Sequence, residues 1–158
     1  MNKKKLSRLM LASVMLEKKV SELYLLFARK SPQDYDFWWQ LAIEEQNHAA
    51  LLRSVEQYFL ALDLLPDNLV PRELETIEAI NERVDKLIEE YTDMADIARS
   101  DMFAVALQLE KSAGEQHLQI AVSGNEHNKA IDLIRQLNQD DKDHAERIVE
   151  YAREQGIS

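Results

Sequence analysis

The sequence predicts an all-α protein built from two helical hairpins that a long crossover connects. Only 3 Gly and 3 Pro occur in 158 residues, which leaves little material for turns. Apolar residues recur at the three-then-four spacing of an amphipathic helix in four long segments, and prolines or glycines separate these segments. A chain of this length buries a sufficient core without disulfides, so we expect one domain over residues 1–158.

Helices A and B form the first predicted hairpin. Helix A is predicted from about Lys3 to Lys30, because its apolar period continues unbroken past a start that superficially resembles a signal peptide. Helix B is predicted to begin at Ser31-Pro32, where serine suits the cap and proline the first helical position. It is expected to end near Leu62, because two prolines follow within residues 63–71.

Residues 63–95 are predicted to form the crossover. Within them, residues 72 to about 92 carry a charged amphipathic pattern, which predicts a short helix on the outside of the bundle. A connection this long can return along the whole bundle, so we expect helices B and C to run parallel.

Helices C and D form the second predicted hairpin. Helix C is predicted from residues 96–101 to Ser123, and Gly124 then begins a turn. Helix D is predicted from Asn128 to about Gln155.

Composition excludes several classes of function. The chain has no cysteine, so thiolate zinc sites, iron–sulfur clusters and a cysteine nucleophile are ruled out. Its net charge of -10 with scattered basic residues disfavours nucleic acid as a partner. No segment has the roughly 18 uncharged apolar residues of a membrane span. We therefore expect a soluble, cytoplasmic protein.

Each predicted helix of the two hairpins carries one carboxylate in the middle of its inward apolar stripe. Helices B and D add a histidine three residues later on the same face. The heights also agree, because Glu17 and Glu45 both lie 14 residues from Ser31, which is about 21 Å along a helix. The six candidate metal ligands are Glu17, Glu45, His48, Glu110, Asp141 and His144.

Charge balance favours metal binding by this set. No Lys or Arg lies on the inward stripes except Lys3 at the start of the chain. Four carboxylates in a low-dielectric core are prohibitively costly unless they are protonated or bind metal. Two divalent cations would balance them, and oxygen and nitrogen ligands suit iron, with manganese or zinc as alternatives. Such a pair of ions handles two electrons, which makes peroxide or dioxygen the natural substrate.

These residues resemble the rubrerythrin and ferritin-like diiron proteins, whose pattern combines glutamates with two Glu-x-x-His motifs. The segment Glu45-Gln46-Asn47-His48, followed by alanine, is similar to the second-helix motif of that family, and Glu17 with Tyr24 and Phe27 is similar to its first helix. The resemblance implies a single ferritin-like four-helix bundle with two iron ions. It also implies a rubrerythrin-like oxidoreductase without a rubredoxin domain, so an external donor protein or Fe(II) itself must supply electrons.

The sequence departs from the family at two positions. Asp141 stands where the family usually has a glutamate, and its shorter side chain changes the expected metal spacing. The family is also expected to carry an additional glutamate on the third helix, whereas Ala113 and Gly114 follow Glu110 here. Both departures weaken the expectation of peroxidase chemistry more than that of metal binding.

Tyr24 and His117 each follow a candidate ligand by seven residues, and helical side chains lean toward the N-terminus. We expect them to hydrogen-bond ligands or relay protons, and the alternative for each is plain core packing. Phe37, Trp38 and Trp39 are interpreted as packing or dimer-contact residues.

Three other functions stay open at this point. The same centre could serve a ferroxidase or iron-storage protein, although storage requires a closed shell and we expect a monomer or homodimer. The chain could also be a metal-free helical interaction module with protonated carboxyls. Diiron hydroxylation of an organic substrate is the third alternative.

Overall fold

Five α-helices dominate the structure, a computed structural model that describes residues 3–65, 69–71, 73–113, 118–120 and 129–157. The predicted all-α class is confirmed. The helices are α1 (Lys3–Lys30), α2 (Tyr35–Ser54), α3 (Leu74–Asp93), α4 (Arg99–Ala113) and α5 (Lys129–Glu154).

Helices α1 and α2 form an antiparallel hairpin. The Ser21 hydroxyl donates to the Ala42 carbonyl at 2.7 Å, and the Ser7 hydroxyl donates to Glu56 at 2.9 Å. Residue numbers therefore rise along one helix while they fall along the other. Helix α1 has the predicted bounds, because its apolar pattern and its helix-forming residues agree over the whole segment.

The start of the second helix differs from the prediction. Residues Pro32–Asp34 form a single 3-10 turn, and α2 begins only at Tyr35. Ser31 does not cap a backbone N–H. Its hydroxyl donates instead to the Asp34 carboxylate at 2.7 Å, because Asp34 is buried at this junction and needs donors.

The end of the second helix also changes type. Regular α-helix stops at Ser54, and Val55–Leu60 continue as a π-helix. The chain then leaves the helix through Asp63, whose positive φ of 60° is a conformation that aspartate tolerates better than most residues. The predicted end near Leu62 was therefore close in position, although the last turns are not α-helical.

Helix α3 lies in the crossover, as the amphipathic pattern predicted, and it packs against α1. Asn81 donates its side-chain amide to the Ala12 carbonyl at 3.0 Å, and Lys19 pairs with Asp85 at 2.6 Å. Its 20 residues agree closely with the predicted segment of residues 72 to about 92. It covers the side of α1 that faces away from α2.

Two short strands were not predicted. Strand β1 (Leu69–Pro71) pairs antiparallel with β2 (Leu118–Ile120), with Leu69 opposite Ile120. The prediction that helix C continues to Ser123 is therefore wrong, since α4 ends at Ala113. The next residue in the sequence, Gly114, has the lowest helix propensity after proline. The predicted turn at Gly124 lies outside the described residues.

Buried Asp34 ties three helices together at one end of the molecule. Its carboxylate accepts two hydrogen bonds from Arg99, at 2.6 and 2.8 Å, and one from Tyr151 at 3.0 Å. Helices α2 and α4 therefore begin at the same end, where α5 finishes. Trp38, which is fully buried, packs on Phe103 at a ring distance of 4.5 Å and extends this end into the core.

None of the helices in the described part of the chain combines the length and the apolar character that crossing a membrane requires.

Candidate metal centre

The six candidate ligands from four helices are all buried in the interior of the structure. Helix α1 supplies one of them, α2 two, α4 one and α5 two. Their exposed fractions are Glu17 5%, Glu45 2%, His48 3%, Glu110 6%, Asp141 4% and His144 1%.

Glu45 lies between the two histidines. Its Oε2 is 3.1 Å from Nδ1 of His48, and its Oε1 is 2.8 Å from Nδ1 of His144. The two imidazole rings are stacked at a centroid distance of 5.1 Å. One buried carboxylate thus contacts the inward-facing nitrogens of both histidines.

The other carboxylates surround this central group. Nδ1 of His48 is 3.7 Å from Glu17 and 3.5 Å from Asp141, whereas Nδ1 of His144 is 3.8 Å from Glu110. Ligand atoms of Glu45, both histidines and Asp141 lie within 4.8 Å of one another. This buried cluster can hold a metal ion.

Burial and charge shift the protonation of the cluster strongly. Burial and the neighbouring carboxylates of Glu110 and Glu17 raise the pKa of Glu45 well above its ordinary range. Burial would lower the pKa of His48, but hydrogen bonds to Glu17 and Glu45 outweigh it and raise that pKa to about 12. The pKa of His144 is raised to about 11, because hydrogen bonds to Glu110 and Glu45 outweigh burial in the same way. Because an imidazole binds metal only in its neutral form, metal competes with protons at both rings.

Tyr24 contacts the cluster directly. Its hydroxyl donates to Glu110 Oε1 at 2.5 Å, and the side chain is fully buried. Burial and the Glu110 charge raise the pKa of Tyr24 well above its ordinary value, so the phenol keeps its proton. Tyr24 follows Glu17 by seven residues in the sequence, but its hydrogen-bond partner in the structure is Glu110 on α4. His117, the other residue of this kind, lies outside the described residues.

Two carboxylates that sequence reasoning missed hold the outer sides of the histidines. Glu44 on α2 accepts a hydrogen bond from Nε2 of His144 on α5 at 2.8 Å, and Asp140 on α5 lies 3.4 Å from Nε2 of His48 on α2. Each helix thus supports the histidine of the other. Carboxylates in such positions fix the orientation of a ligating imidazole and raise its basicity.

A sequence signal for this support did exist. Glu44 and Asp140 each come immediately before a candidate ligand, Glu45 or Asp141. The sequence could not show that each carboxylate contacts the histidine of the other helix, because this depends on how α2 and α5 are rotated against each other. Arg147 completes the arrangement, since its guanidinium donates to Glu44 at 2.5 Å.

The chemistry of these residues fits a metal ion. The donors are carboxylate oxygens and imidazole nitrogens, which iron and manganese accept readily. Both histidines direct Nδ1 toward Glu45. The outer nitrogens are occupied by supporting carboxylates, which leaves the inner ones for metal.

No protein-family model, curated protein or solved structure matches this chain.

Proposed function

We propose that this chain is a ferritin-like, non-haem dinuclear iron protein, and specifically a rubrerythrin-like oxidoreductase that reduces peroxide or dioxygen. The observation that carries the proposal is the contact of one buried carboxylate, Glu45, with the inward nitrogens of both histidines. Three further buried carboxylates on three helices surround that contact.

The arrangement of the helices supports a ferritin-like bundle. Helices α1, α2, α4 and α5 each contribute candidate ligands, whereas α3 contributes none and packs mainly against α1. Because α2 and α4 begin at the same end, the connection between them returns along the molecule, as a bundle with one long crossover requires.

Iron bound here would supply a two-electron redox couple for the reduction of peroxide or dioxygen. Glu45, Glu17, Glu110 and Asp141 would supply the oxygen ligands of the two ions. His48 and His144 would bind through Nδ1, held in place by Asp140 and Glu44. Tyr24 orients Glu110 and keeps a proton at its hydroxyl beside the centre.

Metal analysis is the first test of this proposal. Protein loaded anaerobically with Fe(II) and freed of excess metal should retain two ions per chain. Glu45→Gln keeps the shape of the side chain and removes its charge, so it should retain far less iron. Glu89→Gln removes an exposed carboxylate on α3 and should bind like the wild type. Wild-type protein that retains no metal would instead support a metal-free helical interaction module.

Reaction of the loaded protein then separates the redox functions. Peroxide should oxidise the bound Fe(II) within seconds, which appears as a rise in near-ultraviolet absorption. Reduction by an added electron donor should restore the starting spectrum and allow repeated turnover. A ferroxidase would instead consume added Fe(II) with dioxygen and accumulate ferric mineral in a large closed assembly, which sizing would detect.

A further inference from the structure

A cavity of about 230 Å³ lies between α2 and α5 and reaches the candidate metal centre from outside. Its inner wall includes His48 and His144, which are almost completely buried. Their supporting carboxylates, Glu44 and Asp140, line the same cavity. The cavity therefore ends at the outer side of both candidate ligands.

The outer part of this cavity is negatively charged. Glu44, Asp140 and Asp143 line it together with one guanidinium, that of Arg147, so these four groups carry a net charge of -2. Arg147 is paired with Glu44. Within the part of the chain that the structure describes, neither Asp140 nor Asp143 forms an ion pair with a lysine or an arginine.

The size of the cavity also suits a hydrated cation. A single water molecule needs roughly 10–15 Å³ of such space, so the cavity accommodates an ion with several of its waters. A second cavity, of about 380 Å³ between α4 and α5, is lined by apolar residues such as Leu107 and Val149. None of the six candidate ligands lines it.

We propose that the cavity between α2 and α5 is the route by which divalent cations reach the centre, and that the charge at its mouth sets their association rate. This inference rests on the proposed function. A cleft lined by charge of one sign with low-dielectric walls concentrates the field and raises the local concentration of counter-ions. Dioxygen and peroxide are uncharged, so their approach would be insensitive to the same groups.

Asn47 offers a direct test, because it lines the mouth, is exposed and is uncharged. Asn47→Asp and Asn47→Lys change the charge of the mouth in opposite directions. Ala50→Asp and Ala50→Lys make the same changes at an exposed position on α2 that does not line the cavity. Metal-free protein is mixed with Co(II) in a stopped-flow instrument, and binding is followed by the visible absorption of coordinated Co(II).

The association rate should rise in the order Asn47→Lys, wild type, Asn47→Asp. The two variants should differ by about tenfold at low ionic strength and converge near 1 M salt, where the screening length falls to about 3 Å. The amount of Co(II) bound at saturation should stay at the wild-type level, and the Ala50 pair, whose charge lies outside the cavity, should change the association rate less than the Asn47 pair does.

Equal rates across the Asn47 series would overturn the route, and so would an equally large effect in the Ala50 pair. In both cases the wild type still binds Co(II), so the proposed function survives. Wild-type protein that binds no Co(II) at equilibrium would overturn the proposed function, and the route with it.

Discussion

Tyr24 on α1 and Glu110 on α4 share a hydrogen bond of 2.5 Å inside the core. Both side chains are buried, so water cannot replace either partner. Because the phenol keeps its proton, it always presents a donor to the carboxylate. The bond therefore fixes the direction in which Glu110 faces the histidines.

Tyr24→Phe removes only the hydroxyl and leaves a buried acceptor without this donor. We expect the free energy of unfolding of the metal-free protein to fall by about 1–3 kcal/mol. Metal affinity should fall by about 10- to 100-fold, as is typical when an outer partner of a ligand is lost. Urea unfolding and competition with a chelator measure the two effects. Tyr58→Phe, at an exposed position, should change neither, and an equal loss of affinity there would contradict this role for Tyr24.

Glu44→Gln replaces the carboxylate that holds Nε2 of His144 with an uncharged side chain of similar size. We expect metal affinity to fall by about 10- to 100-fold, while the fold persists because Glu44 is partly exposed. A chelator competition with Co(II) would show the loss. Unchanged affinity would mean that packing alone orients His144.

Glu45→Gln separates function from stability. In metal-free protein, burial and the neighbouring carboxylates of Glu110 and Glu17 disfavour a charge on Glu45, so a permanently neutral glutamine should raise the free energy of unfolding at neutral pH. The same variant should lose the stabilisation by bound metal, which for the wild type is about 2.7 kcal/mol at one hundred times the dissociation constant. Thermal unfolding with and without Co(II) measures both changes. If the metal-free variant were less stable than the metal-free wild type, this result would contradict the charge argument.

Asp34 should control stability at acidic pH. Burial would raise its pKa, but hydrogen bonds from Arg99, Ser31 and Tyr151 outweigh burial and lower it. The unfolded state therefore binds this proton more readily than the folded state. The stabilisation is complete above the unfolded pKa of about 3.9 and is lost as the pH falls through the lower folded pKa.

Asp34→Asn should destabilise the protein at neutral pH by about 3 kcal/mol, at the low end for a buried pair because Arg99 is partly exposed. The difference in the free energy of unfolding between this variant and the wild type should shrink below about pH 4. Urea unfolding between about pH 3 and 7 tests this. Asp36→Asn at the exposed start of α2 should show no such dependence. A constant difference across the range would exclude Asp34 as the titrating group.

The sequence predicted features that depend on local periodicity. The bounds of helix A agree with α1 because the apolar pattern and the helix propensities coincide. The six candidate ligands could be selected because each lies in register with its own apolar stripe. The Asp34 contacts with Arg99 and Tyr151 could not be predicted, because their partners come from distant parts of the chain.

The pairing between the two strands could not be predicted for the same reason. Strands β1 and β2 are short and far apart in sequence, so neither shows a period of its own. The π-helical turns at Val55–Leu60 also have no distinct pattern, since their composition suits an α-helix equally well. The supporting contacts of Glu44 and Asp140 depend on how two helices are rotated, which periodicity leaves undetermined.

The crossed contacts between α2 and α5 make the two halves of the centre mechanically dependent. A slip of α5 along α2 by a single residue, about 1.5 Å, would separate His144 from Glu44 and His48 from Asp140 together. Strain in the packing of these helices, even from a distant substitution, should therefore weaken both metal positions in parallel.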